Sequence, residues 1–246
     1  MKVYATYNIK GGVGKTSAAV NLAHLAARDG HHALLWDLDP QAAATYLFRV
    51  RPKVKGGAKA LVRGTRSIDD AIKATDFDRL DLLPADFSYR NLDLRLDDAK
   101  RPTRRIHQLL QPLGDEYDVV FLDCPPSISL LSENVLYAAD TLLVPVIPAT
   151  LSVRTFDQLV SFVGDLDGHR PRVDAFFSMV DRRKRLHREV MAQLAARRPG
   201  VLTTAIPALS IIEQMAERRA PVTAFAPHSP AALCYQALWS EIHSGR

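Results

Sequence analysis

Short apolar runs alternate along this chain with longer stretches whose apolar residues recur at helical spacing. The first run, Lys2-Val3-Tyr4-Ala5-Thr6-Tyr7, is β-prone. Residues 18–27 are rich in Ala and Leu and predict a helix, which Asp29-Gly30 ends. Apolar runs at residues 33–40, 80–84, 117–123, 141–146, 173–180 and 201–207 predict further strands. Helical patterns fill residues 88–98 and 103–110 and begin again at Ser152 and near Arg183. A last helix lies within residues 229–246, with Ser229 as its cap and Pro230 in its first position. Ser67 and Asp70 form a capping-box-like start for one more helix. The alternation predicts an α/β fold, a mostly parallel twisted sheet with helices on both faces. At 246 residues and 47% hydrophobic content the chain can bury a full core, so one domain is expected over residues 1–246.

Between the first strand and the first helix stands Lys10-Gly11-Gly12-Val13-Gly14-Lys15-Thr16-Ser17. Strand, glycine loop and helix in this order are the setting of a phosphate cradle, a P-loop. The glycines let backbone N–H groups turn inward around an anion, and the helix N-terminus adds its positive end. Lys15 would reach β- and γ-phosphates and Thr16 would ligate Mg²⁺. A flexible turn is the plainer reading of a glycine-rich stretch, but Gly-Lys-Thr opening a helix favours a nucleotide. The ordinary pattern has Gly five residues before Gly14, where this chain has Ile9. Lys10 is not needed for the turn, so it is either incidental or a second phosphate contact.

Two later strands end in carboxylates. Residues 33–40 deliver Asp37 and Asp39 before Pro40, and residues 117–123 deliver Asp123 before Cys124-Pro125-Pro126. Strand C-termini face the ligand crevice of an open α/β sheet. Asp at a strand end also serves simple turns; beside a P-loop the same residues read as Mg²⁺ and water ligands. An apolar strand ending in one Asp is the Walker B arrangement, with Asp123 acting on Mg²⁺ directly or through a water.

Charge adds a second theme. The net charge is +5 and the sequence pI about 9.3, compatible with nucleic acid or an acidic membrane. Basic residues crowd residues 49–66 without an acidic one among them, which reads as a mobile loop, either solvated or touching nucleic acid. They crowd again at Arg182, Arg183, Lys184, Arg185 and Arg188. In a helix beginning near Arg183, Leu186, Val190 and Leu194 would share the buried face, with Arg185 and Arg188 pointing away. Cations in a first turn oppose the helix dipole by about a few tenths of a kcal/mol each, a cost that a bound polyanion would offset. Plain surface charge is the alternative. Cys124 and Cys234 form no CxxC pair, and the scattered histidines are not at ligand spacing, which argues against a disulfide framework or a zinc site. No secretory leader and no membrane span is expected.

Lys-Gly-Gly-Val-Gly-Lys-Thr resembles the deviant Walker A box of the ParA/MinD family of partitioning and positioning ATPases, and the resemblance runs to the terminal helix. It implies ATP and Mg²⁺ as cofactors, an ATP-dependent homodimer, and Lys10 crossing to the partner's nucleotide. Asp37-Leu38-Asp39-Pro40-Gln41 resembles the family's switch I motif, which gives Asp39 the task of positioning Mg²⁺ and the attacking water. Residues 201–207 are similar to the strand whose following loop flanks adenine, so Pro207 is carried over as nucleotide-binding. DNA-partitioning members bind DNA non-specifically through an arginine-containing segment matching residues 182–188, with Arg183 the strongest match. The expected role is partition or positioning of a plasmid, chromosome or protein assembly in a nucleoid-associated, cytoplasmic setting. Release would follow ATP hydrolysis stimulated by a ParB-like or adaptor protein. Where chromosomal members continue Ile-Pro with Arg-Asn-Val-Arg, this chain has Ala208-Leu209-Ser210-Ile211 and lacks one DNA-contacting arginine. No N-terminal DNA-reading extension like that of larger plasmid relatives is expected. A MinD-like membrane ATPase would need a basic amphipathic tail, and the terminal helix has no Lys or Arg from Ala231 to Ile242. An electron-transfer relative would need paired cluster-ligating cysteines; a small-molecule ligase on the same fold would replace the basic surface with a substrate pocket.

Overall fold

The computed structural model describes residues 1–99 and 101–244. Strands β1 (Lys2–Thr6), β2 (Ala33–Asp37), β3 (Lys73–Ala74), β4 (Leu80–Leu83), β5 (Val119–Asp123), β6 (Thr141–Val146), β7 (Arg172–Val180) and β8 (Val201–Pro207) form one sheet. Their spatial order is β3-β4-β2-β5-β1-β6-β7-β8, and every neighbouring pair is parallel except β3 with β4. The helices are α1 (Lys15–Arg28), α2 (Ala43–Leu47), α3 (Gly57–Arg63), α4 (Leu92–Asp97), α5 (Arg105–Leu110) and α6 (Leu130–Ala138). They continue with α7 (Thr150–Gly164), α8 (Arg185–Arg197), α9 (Ser210–Arg218), α10 (Val222–Phe225) and α11 (Pro230–His243). The expected α/β class is found. None of the described helices is long and apolar enough to cross a membrane.

The period-2 geometry of the strands sorts their side chains into two cores. Val3, Ala5, Leu34, Trp36, Val120 and Leu122 face one layer, which holds α3 to α7. Tyr4, Leu35, Phe121 and Leu143 face the other, where α1 and α11 pack and Tyr4 stacks on Phe121 at 5.3 Å. Because both faces are covered, the central strands read as continuous apolar runs rather than alternating ones.

Two sequence expectations are corrected here. Residues 49–66 are not simply a loop: residues 57–63 form α3, with Ala58, Leu61 and Val62 buried. The stretch is anchored where Val54 N–H donates to Asp86 (2.9 Å) and Ala58 N–H to Ser88 Oγ (2.8 Å). Ser67 does not start a long helix. Its hydroxyl donates to Asp69 (2.8 Å), a single 3-10 turn follows at Asp69–Ala71, and Ile72 is already extended. Pairing of Lys73 and Ala74 with β4 closes the sheet edge and overrides the local capping signal. Residues 245–246 of the expected terminal helix lie outside the described residues, and α11 spans Pro230–His243, with Ser229 Oγ accepting from Ala232 N–H at 3.2 Å.

His24 ties α1 to α10, with its Nδ1 2.8 Å from Thr223 Oγ1. Burial, helped by nearby Arg28, pushes its pKa from 6.5 down to about 4. The neutral imidazole is therefore the folded form. Its contribution is complete above the unfolded pKa near 6.5 and is lost as pH falls towards 4, to a total of about 3 kcal/mol. The wild type should lose Tm between pH 7 and 4.5 more steeply than His24→Gln, as followed by circular dichroism; parallel curves would remove His24 from the acid response.

Candidate functional site

The sheet order creates the crevice. From β1 the chain travels through α1 to β2 on one side, whereas from β5 it passes through α6 to β6 on the other side of β1. Ligands bind where strand order reverses, outside the strand C-termini. The loop after β1 lies at this point. Asn8, which the sequence reading did not single out, bends its start: Nδ2 donates to Pro145 O (2.9 Å) and Oδ1 accepts from Lys10 N–H (2.9 Å). Gly14 caps α1 with φ +93°, and a Cβ there would stand 2.9 Å from Ser178 Oγ on β7. Glycine is required on both grounds. Gly12 also has positive φ, Val13 is buried, and Gly11 lies against Pro126, 3.7 Å from where its Cβ would be. The Ser17 carbonyl accepts from Asn21 Nδ2 at 2.8 Å, inside the first turns of α1.

Lys15 curls back over this loop, its Nζ 3.2 Å from Lys10 O, and is only 7% exposed. Burial lowers its pKa, while Asp123 and Asp39 act in the opposite direction. An ammonium held this way, above open backbone amides, is arranged for an anion.

Thr6, Asp123 and Asp37 stand side by side across β1, β5 and β2. Asp123 is fully buried; Thr6 Oγ1 is 3.4 Å from its Oδ1, and its Oδ2 has no hydrogen-bond partner. Burial drives its carboxyl well above the usual range, Asp37 and Asp39 add to that, and Thr16 and Lys15 act against it. A buried carboxylate oxygen left open beside a threonine and a lysine is costly unless a cation completes it. The residues present thus fit Mg²⁺ next to a phosphate chain.

The paired aspartates of the second strand separate by role. Asp37 spends both oxygens internally: Oδ2 accepts from Thr45 N–H (2.8 Å) and Oγ1–H (2.7 Å), and Oδ1 accepts from Asp39 N–H (3.2 Å). Burial raises its pKa to about 6, against these hydrogen bonds. Asp39 is half-buried, and its carboxylate accepts only from Gln41 N–H at 2.9 Å. Asp37 fixes the turn; Asp39 remains available. Thr45 was invisible in sequence because its partner is eight residues away.

Around the rim, Lys10 is exposed and its Nζ reaches Ser152 Oγ (3.3 Å) at the start of α7. Pro207 ends β8 opposite Val180, two residues beyond Ser178.

The basic turn follows β7 directly. Arg182, Arg183, Lys184, Arg185 and Arg188 are all exposed. Arg183 forms a bidentate pair with Asp181 (3.0 Å to each oxygen), which holds that carboxyl down at about 2. Arg185 pairs with Glu189 (2.6 Å), and Arg188 donates to the carbonyls of Arg182 (2.7 Å) and Arg183 (3.3 Å). The side chains of Arg182 and Lys184 have no hydrogen-bond or ion-pair partner among the described residues. The helix begins at Arg185, with no acidic residue in its first turn, rather than at Arg183. The buried face also differs from the expected one. His187, Val190 and Leu194 are buried, while Leu186, expected inside, is 52% exposed. His187 Nδ1 accepts from Asp181 N–H (3.1 Å) and so pins the turn.

Comparison with known proteins agrees with this geometry. The family described as AAA domain matches residues 1–173. The sporulation initiation inhibitor protein Soj of Bacillus subtilis is 29% identical over 247 residues, covering 98% of each chain. The chromosome partitioning protein ParA of Caulobacter vibrioides is 31% identical over 203 residues, covering 80% of this chain and 76% of that one. A solved structure of cobyrinic acid a,c-diamide synthase from Mycobacterium smegmatis, with bound ATP analogue and magnesium, superposes with a TM-score of 0.84 at 28% identity, over 100% of this chain and 97% of that one. Similarity of this extent, on the same strand, loop and helix cradle, means that the chain belongs to the ParA/MinD family of P-loop ATPases.

Proposed function

We propose that this chain is a nucleotide-switched ATPase that dimerises on ATP and Mg²⁺ and binds DNA non-specifically through the β7–α8 turn. A ParB-like or adaptor partner stimulates hydrolysis and releases it, so that a plasmid, chromosome or protein assembly is positioned over the nucleoid. One observation carries this reading: β7 serves both sites. Ser178 lies under Gly14 of the cradle, and the basic turn opens at Arg182, four residues further along the chain. A rearrangement of the cradle therefore has a rigid strand through which to reach the basic surface.

The amides of residues 11–16 and Lys15 hold the phosphates, Thr16 and Asp123 hold Mg²⁺, and Pro207 begins the loop beside the base. Mg²⁺ supplies neutralisation of charge on the phosphate oxygens. Asp39, with carboxylate capacity to spare, orients the attacking water. Lys10, exposed and bonded to Ser152 of α7, completes the site of a second copy. Light scattering tests this last element: the mass should double with ATP for the wild type and stay monomeric for Lys10→Ala, with hydrolysis at least about tenfold slower. A Lys10→Ala protein that dimerises and turns over like the wild type would overturn the trans role. The DNA reading is preferred over a membrane one because the basic residues sit on α8 and not on α11.

A further inference from the structure

Four arginines meet outside the cradle, in a cavity of about 420 Å³ lined by residues of α3, α4 and α5. Arg63 comes from the basic stretch, and Arg95, Arg101 and Arg105 from helical and connecting segments that carry no motif. One carboxylate accompanies them, Asp98, 3.9 Å from Arg95. Arg105 lines the cavity and its guanidinium is held by two hydrogen bonds. Its Nε donates to Val62 O (2.6 Å) and its Nη1 to Gln108 Oε1 (3.2 Å), and Gly64, without a Cβ, leaves room for its Nη2. Burial lowers its pKa. It has no carboxylate within ion-pair distance among the described residues, so a half-buried guanidinium lines the cavity with N–H groups to spare.

We propose that this cavity is a second phosphate site, built for the pyrophosphate-like group of a small polyphosphorylated ligand. Four guanidinium groups against one carboxylate leave a surplus that suits a multivalent anion. The planar fork of Arg matches phosphate oxygens bidentately, and an Arg105 already held in place loses little freedom on binding. The volume is that of small-molecule sites. The walls are held independently of any ligand: Asn134 of α6 accepts from Arg105 N–H (2.8 Å) and Ile106 N–H (3.2 Å), and Asp93 of α4 accepts from Leu131 N–H (2.7 Å). The site does not depend on the ATPase reading, because it shares no residue with the cradle.

Calorimetry of pyrophosphate binding to the full chain carrying Lys15→Ala, which disables the cradle, tests the assignment. One pyrophosphate should still bind. Adding Arg95→Ala and Arg101→Ala, two substitutions outside the Arg105 scaffold, should weaken it by at least about tenfold. No binding to the Lys15→Ala protein, or binding unchanged by the two arginine substitutions, would overturn the site. A saturating short DNA duplex should leave pyrophosphate affinity unaltered. Displacement that vanishes in the arginine variant would assign these guanidinium groups to DNA and overturn the small-ligand proposal.

Discussion

Lys15→Ala should lower affinity for ATP by about a hundredfold or more while leaving the fold intact. The ammonium has one hydrogen bond in the free protein, to Lys10 O, and burial already disfavours its charge. Its removal therefore costs the fold little, and Tm should hold or rise. In the ATP complex the same group would form charge-assisted hydrogen bonds to phosphate oxygens in a site shielded from water. Two such bonds at about 1.5–3 kcal/mol each give about 3 kcal/mol or more, a factor of about a hundred. Calorimetric titration with a non-hydrolysable ATP analogue measures this directly. Affinity within about threefold of the wild type would show that Lys15 does not hold the phosphates.

Arg182→Ala with Lys184→Ala should abolish retention on DNA at moderate salt without altering ATP affinity. These two side chains have no hydrogen-bond or ion-pair partner among the described residues and can meet phosphates without breaking an ion pair, unlike Arg183, which must share or leave Asp181. Arg183→Ala should still weaken binding, since it also uncovers the Asp181 carboxylate beside the DNA. Each phosphate contact adds about 0.9 to the slope of log K against log salt, so the double substitution should flatten it by about 1.8 per monomer and twice that in a dimer. Both residues are exposed, and stability should change by less than about 0.5 kcal/mol. Filter binding across a salt series gives slope and affinity together. An unchanged slope would move the DNA contact to Lys and Arg side chains of residues 49–66.

The cradle and Asp123 were legible in sequence because their signals are local. A glycine loop lies between an apolar run and a helix, and a buried strand ends in one acid. Signals that depend on distant partners were not. Asp37 and Asp39 look equivalent in the chain, and only Thr45 distinguishes them. Ser67 carries a sound capping pattern that sheet pairing overrides, and α3 is hidden in a stretch whose lysines and arginines mask Ala58, Leu61 and Val62. On α8 the buried face holds His187 with Val190 and Leu194 in place of Leu186, a choice between adjacent flanks of one helix that packing makes and that the chain's apolar spacing does not show. The four-arginine cavity draws on three segments spread over residues 63–105, a combination no spacing rule anticipates.

The coupling of nucleotide to DNA is tested most directly by retention of an unrelated duplex with ATP, with ADP and without nucleotide, at one salt concentration. Strong retention with ATP and weak retention in the other two states is the expected result, because only a dimer doubles the number of phosphate contacts. Equal retention in all three states would contradict a nucleotide-switched DNA-binding ATPase.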